Sequence, residues 1–282
     1  MGLEDRFVVR PPLTPPGAGG EAARDRLQHE QAFHDAQAAQ RRQGWEHDPA
    51  LLRFAPEEYL DHEPWVRPAL TRLGPLAGKR VLDFGCGHGM AATCLAQMGA
   101  DVVAFDLSAG YVHEAVARAK ANGVHIQGLL ADGARLPLAD ASMDAIWGVA
   151  ILHHLNIDQA AKEVQRILKP GGVAVFCEPW GGNPLLRWAR RRLPYPGKER
   201  TPDEVPLQPA DVEVLKSVFP DLVIEHVQLL GMIRRAWRSF PLLKTLDRWD
   251  RSLLRRWPSI GKWSRYVVME LRQPITSQPS AT

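Results

Sequence analysis

Three aspartates, a run of alternating glycines and a pair of histidines are the residues whose types and spacing could do chemistry here. The stretch Val81-Leu82-Asp83-Phe84-Gly85-Cys86-Gly87-His88-Gly89 joins a β-rich apolar run to a glycine ladder, and the segment from Met90 to Met98 favours helix. That order predicts strand, tight turn, helix. Glycine is needed where the main chain takes positive φ, or comes so close to a ligand that no Cβ fits. N–H groups at a helix start carry partial positive charge, so such a turn suits an anionic or electron-rich group. A second predicted strand, Asp101 to Phe105, ends in Asp106, followed by Leu107 and a Ser108 able to cap the next helix. An acid at that strand end can accept two hydrogen bonds from ribose hydroxyls. Asp132 and Gly133 follow a third strand near His125 to Leu130. The fourth strand ends in Gly148-Val149-Ala150-Ile151-Leu152-His153-His154-Leu155, which puts both histidines at the carboxyl edge, where ligands of open α/β sheets sit. Imidazole changes charge near neutral pH, so His153 or His154 could serve as a general base. The structural alternative is that one ring orders the loop or packs beside a ligand.

The elements that must position these groups alternate strand and helix after the glycine turn, which implies a parallel sheet covered on both faces. A helix from Ile157 is stopped by Leu168-Lys169-Pro170-Gly171-Gly172, ahead of the apolar strand Val173 to Cys177. Glu178 closes that strand, either as an acid-base group or as an anchor for the loop beyond. Further strands are expected at Asp221 to Leu230 and Tyr266 to Leu271. Ahead of the turn, Glu21 to Gln43 is rich in Ala, Gln and Arg without Pro or Gly, and favours a helix. A second helical segment, Pro56 to Leu73, carries Tyr59 and Trp65. Residues 1–20 are expected to be flexible, 21–74 a helical cap, 75–230 the α/β core, 231–263 an insert, 264–273 the last strand and 274–282 a flexible tail.

The glycine spacing differs from the G-x-G-x-x-G of dinucleotide enzymes, and Asp83 stands two before the first glycine. With Ala131-Asp132-Gly133-Ala134-Arg135-Leu136-Pro137-Leu138, Ser142-Met143-Asp144-Ala145-Ile146 and the Leu168 to Gly172 helix stop in the same order, residues 78–180 resemble the class I S-adenosylmethionine-dependent methyltransferases. Met143 stands where that family usually has an aromatic residue. The resemblance implies a doubly wound, mostly parallel seven-stranded sheet with helices on both faces, the last strand antiparallel. It implies S-adenosyl-L-methionine as cofactor and no metal. Asp83, Gly85, Cys86, Gly87 and Gly89 would meet the amino-acid end, Asp106 and Leu107 the ribose, Asp132 and Gly133 the adenine, with Val149 beside them. Cys86 reads as a small residue that fits the bend, not a nucleophile. Tyr59 would touch the methionine carboxylate or simply pack the cap against the sheet. The implied activity is in-line methyl transfer to oxygen or carbon of a small apolar or lipid-like acceptor. The fourth strand lacks the Asn/Asp-Pro-Pro-aromatic grip of amino-methylating relatives, which weighs against a nucleobase. RNA methylation and a non-catalytic scaffold of the same fold stay open as alternatives.

Three cysteines, odd in number and without a C-x-x-C pair, predict a reduced cytoplasmic setting with no disulfide framework or zinc knuckle. No apolar run approaches the roughly 20 residues needed to cross a bilayer. Charge, however, is unevenly placed. Residues 232–265 hold ten Lys or Arg against two Asp, a local charge of +8 in a chain of net +3. Within 241–257, Leu242, Leu246, Trp249, Leu253 and Trp257 recur at helical spacing, with Lys244, Arg248, Arg251 and Arg255 opposite. This predicts either a lid whose apolar side covers the sheet, or a basic amphipathic helix that places the protein peripherally on an anionic inner membrane face.

Overall fold

The computed structural model describes residues 8–9, 21–192, 205–235, 237 and 239–273. A two-residue strand β1 (Val8–Val9) is followed by the long helix α1 (Glu21–His47) and the short helices α2 (Pro56–Leu60) and α3 (Val66–Thr71). The core then alternates: β2 (Arg80–Phe84), α4 (Met90–Gln97), β3 (Asp101–Asp106), α5 (Ala109–Ala121), β4 (Gln127–Leu130), β5 (Met143–Val149), α6 (Ile157–Ile167) and β6 (Leu168–Pro179). Helices α7 (Pro184–Arg192) and α8 (Pro209–Val218) lead to β7 (Val223–Val227), and helix α9 (Leu243–Arg256) precedes β8 (Tyr266–Arg272).

The strands form one sheet in the order β1-β4-β3-β2-β5-β6-β8-β7, parallel throughout except for β8, which runs antiparallel to β6 and β7. The chain starts at β2, builds outward through β3 and β4, then returns to β5 on the other side of β2. Loops leaving β2 and β5 therefore diverge, and a crevice opens at their carboxyl ends. The sheet holds one strand more than the expected seven, because Val8 and Val9 pair with Leu129 and Leu130 at its edge. The rest of residues 1–20 and the tail 274–282, both expected to be flexible, lie outside the described residues.

Strand parity sorts the core into two layers, since successive side chains point to opposite faces. Leu82, Phe84, Val103, Phe105, Ile146 and Phe176 pack with residues of α6 and α8 on one face. Val81, Val102, Ala104, Trp147 and Val175 pack with α3, α4 and α5 on the other. The Phe84 ring sits edge-on to Phe105 and Phe176, with centroids 4.6 and 5.6 Å away. Helix starts are fixed by polar side chains: Ser108 accepts from the Tyr111 N–H, and Asn156 from the Gln159 N–H.

Two expected helices differ from their sequence pattern. The segment 56–73 is broken between α2 and α3, where Pro64 lacks the N–H that a continuous helix would use. In α9 the expected apolar stripe divides: Leu246 and Leu253 are half-buried, but Leu242, Trp249 and Trp257 are exposed. Asp250 explains the division. It is buried and accepts hydrogen bonds from the N–H groups of Leu229, Leu230 and Gly231. A carboxylate tethered to three main-chain donors turns that side of α9 inward, and the tryptophan side is left outside.

Phe84→Ala should lower unfolding free energy by about 3–5 kcal/mol, the range for emptying a fully buried aromatic site. Denaturant melts with an unchanged slope and a lowered midpoint would agree; a loss below about 1 kcal/mol would contradict this packing.

Candidate functional site

A cavity of about 310 Å³ opens over the carboxyl ends of the central strands. That volume lies at the low end of the range for small-molecule sites. Its floor is the glycine bend. Gly85 and Gly89 both take positive φ, 75° and 84°. A Cβ on Gly89 would come within 2.4 Å of the Ala115 Cα, and one on Gly85 within 2.6 Å of the Ile151 side chain. These two glycines let α5 and the β5 loop close on the bend. Gly87 differs, because a Cβ there would meet nothing within 4 Å. It lines the cavity, so its missing side chain leaves room for a ligand.

Asp106 holds the bend from beneath. Its Oδ2 accepts the Gly87 N–H at 2.9 Å and its Oδ1 accepts the Ser108 N–H at 2.9 Å. The Leu107 N–H also donates to this carboxylate, which lines the cavity. Burial pushes this carboxyl above its ordinary range, against the opposing effect of those N–H groups. Asp132 also lines the cavity, and its Oδ1 accepts the Ala134 N–H at 2.9 Å, an Asx turn that fixes the loop. Leu107, Gly133 and Val149 complete this side. Ala150, beside Val149, is held at φ 54°, an uncommon conformation for a residue with a Cβ.

Three of the expected cofactor residues do not line this cavity: Asp83, Cys86 and Gly89. Strand parity accounts for Asp83, which shares the face of Val81 and points beneath the bend, not over it. It accepts the Ala92 N–H, while its Oδ2 is buried without a hydrogen-bond partner. Burial first, and the nearby Asp106 charge second, push it up to about 7. Cys86 anchors the bend through its N–H, which donates to the Phe105 carbonyl at 2.8 Å, and burial pushes its thiol well up. Gly89 contributes the close approach described above. Tyr59 is also away from the cavity, its hydroxyl accepting the Trp147 indole N–H at 2.8 Å; Trp65 stacks on Tyr266.

The two histidines part company. His153 is turned into the protein, with Nδ1 2.7 Å from Glu178 Oε2. Glu178 is fully buried and its Oε1 also accepts the Ile151 and Leu152 N–H groups at 2.9 Å each. It therefore anchors the loop. His154 faces the cavity, its ring 4.2 Å from that of His153 and its Nδ1 3.6 Å from Glu30 of α1.

Sequence reading missed the opposite wall. Leu27, Glu30, His34, Gln37 and Arg41, all on α1, line the cavity. Their spacing of three and four residues was the available signal, but four of the five are polar. Helix α1 is seated on α5: Arg41 donates to both oxygens of Glu114, Tyr111 donates to Gln37, and Gly110 leaves space for Ala38.

The residues present fit an adenosyl sulfonium. Asp106 offers acceptors for a diol, Asp132 one for an exocyclic amine, and the open bend at Gly87 admits an extended tail.

Comparison with known proteins agrees with this geometry. Residues 82–176 match a methyltransferase domain family. A demethylmenaquinone methyltransferase of Clavibacter sepedonicus is 38% identical over 114 residues, covering 40% of this chain and 46% of that protein. A malonyl-[acyl-carrier protein] O-methyltransferase of Enterobacter lignolyticus is 37% identical over 149 residues, 51% of this chain and 58% of that protein. The chain thus spans about half the length of the curated relatives it matches. Among solved structures, an S-adenosylmethionine-dependent methyltransferase from Mesorhizobium loti superposes with a TM-score of 0.53 at 21% identity, covering 76% of this chain and all of the other, a likeness of fold.

Asp83 should leave a signature in stability. An unfolded aspartate titrates near 4, whereas burial keeps the folded group protonated to about 7. Stability from the neutral carboxyl is thus complete below about pH 4 and is lost as pH rises toward 7, on the order of 4 kcal/mol in all. The cofactor-free melting temperature should fall across that window. Asp83→Asn should flatten the fall and melt above the parent protein at pH 8, with a residual slope from Asp106. A variant profile parallel to the parent would refute the assignment.

Proposed function

Because the chain carries a class I S-adenosylmethionine-dependent methyltransferase domain, we propose that it methylates oxygen or carbon of a small apolar or lipid-like acceptor. The observation that supports this reading best is the convergence of Gly87, Asp106, Asp132 and His154 on one cavity. Intact acids at those positions weigh against a non-catalytic scaffold. The matched relatives act, by their names, on demethylmenaquinone and, at oxygen, on a malonyl group carried by acyl-carrier protein.

S-adenosylmethionine supplies a methyl group on a sulfonium that leaves as a neutral thioether. The protein's task is then mainly positioning, which can account for much of such an acceleration. Asp106 and Asp132 would hold the adenosyl portion by its hydroxyls and amino group. The bend at Gly87 would leave room for the tail beside the main chain. Helix α1 supplies the wall that faces the bend. An acceptor hydroxyl must also lose its proton, and His154, which lines the cavity at the carboxyl end of β5, is the group proposed to take it. Glu30 of α1 stands 3.6 Å from His154 Nδ1.

Calorimetry with S-adenosylhomocysteine should give a Kd that rises at least tenfold in Asp106→Ala and Asp132→Ala. His154→Ala should leave that Kd within about twofold, yet lower kcat toward a hydroxyl acceptor by roughly 10²–10⁴. Labelled methyl donor, offered with a hydroxylated quinone, a carboxylated acyl thioester and mixed RNA in separate reactions, tests the acceptor class. Label appearing only in RNA, or no heat of binding for S-adenosylhomocysteine, would overturn the reading.

A further inference from the structure

The nine tryptophans of the chain fall into two groups. Trp45, Trp65, Trp147 and Trp180 are at most 9% exposed. Trp188, Trp237, Trp249, Trp257 and Trp263 are 39–57% exposed. Every exposed indole lies between α7 and the end of the insert. Tryptophan carries the largest apolar surface of any side chain, and leaving one in water forgoes much of the stabilisation that its burial would bring. Five in one region is a pattern that the domain's own packing does not account for. Aliphatic side chains accompany them, Leu185 at 61% and Leu242 at 54% exposed.

The charges around these indoles are sorted by sign. Lys244, Arg248, Arg251, Arg255 and Arg256 of α9 are all exposed, and the Lys262 ammonium sits 5.7 Å from the Trp263 ring. The two acids of the insert point the other way: Asp250 is buried against main-chain N–H groups, and Asp247 pairs with Arg234. No acid of α9 remains on its outer side to offset the cations. The start of α7 joins the same region, since Asn183 is tied to the Trp263 carbonyl. No described residue of 231–263 lines the cavity, so the exposed indoles do not close that site. No described helix is long and apolar enough to cross a membrane.

We propose that α7 and the insert form a docking surface for an anionic lipid bilayer, with the tryptophans seated at headgroup depth and the arginines and lysines against lipid phosphates. Indoles favour the membrane interface, where an apolar body and a polar N–H are both accommodated. Long cationic side chains reach from such a depth to the phosphate level. Single-stranded RNA would also engage cations and aromatic rings, but Leu185 and Leu242 offer a base no stacking surface, whereas hydrocarbon covers them as readily as it covers an indole. This surface stands apart from the cavity, and its test does not depend on methyl transfer.

The intact protein should float with vesicles of phosphatidylcholine and phosphatidylglycerol in a 7:3 ratio, and at least tenfold less with pure phosphatidylcholine. Tryptophan emission should shift to the blue on binding and be quenched by lipids brominated near the headgroup. Trp249→Ala/Trp257→Ala and Arg251→Glu/Arg255→Glu should each weaken vesicle binding at least tenfold, while the melting temperature and the Kd for S-adenosylhomocysteine stay at parental values. Absence of binding to anionic vesicles would overturn the proposal. So would binding without indole quenching, preference for RNA over vesicles, or a dimer in light scattering that hides the same tryptophans and persists with lipid.

Discussion

Arg118 sits 4% exposed between three parts of the structure that have no sequence continuity. Its guanidinium donates to the carbonyl of His88 in the glycine bend, to the carbonyl of Leu52 between α1 and α2, and to Glu114 on its own helix. Glu114, 1% exposed, is completed from the other side by Arg41 of α1. A buried charge must be fully partnered, and removing one partner typically costs about 3–5 kcal/mol. Burial depresses Arg118, yet Glu114 is held below its ordinary range, because hydrogen bonds from Arg41 and Arg118 outweigh its own desolvation. Lifting the roof would therefore take Arg41 from Glu114 and leave that carboxylate with Arg118 alone. The same network sets His88: burial, then the Arg41 and Arg118 charges, lower it to about 4, so this cavity-lining ring is neutral at physiological pH.

The floor and the roof were unequally legible in the sequence. The floor rests on local rules. Glycines that alternate after an apolar run mark a bend, and acids at strand ends mark the crevice, so Gly85, Gly87, Asp106 and Asp132 could be placed before any coordinates. The roof rests on a tertiary contact. Glu30, His34, Gln37 and Arg41 recur at helical spacing, but apolar periodicity is blind to a polar face that turns toward a polar cavity. Asp83 shows a finer limit. Its type was readable and its direction was decided by parity, which places it with Val81 and away from Phe84. His153 and His154 were not separable at all, because neighbours in a tight turn diverge according to which ring Glu178 captures.

The insert shows how one strong anchor overrides a pattern. Its leucines and tryptophans recur on one side of α9, and burial of that whole side would have been the ordinary outcome for a surface helix. Asp250 accepts three main-chain N–H groups and rotates a different side inward. Half of the apolar stripe packs, and the other half stays in solvent beside the arginines. Hydrophobic periodicity marked the helix and left open whether its apolar side is covered or exposed; the single well-partnered acid, to which periodicity assigns no weight, divides that side between the two.

Methyl transfer from a sulfonium makes few chemical demands on the protein beyond alignment, so residues that hold the cofactor carry little information about the acceptor. Gly87, Asp106, Asp132 and His154 all fall in the segment shared with the relatives. The facing wall comes from α1, which lies before that segment, and α7 and the insert lie after it. Leu27, Glu30, His34, Gln37 and Arg41 therefore face the bend from outside the matched segment, residues 82–176. That segment holds the floor, and the wall, α7 and the insert are built around it from the rest of the chain.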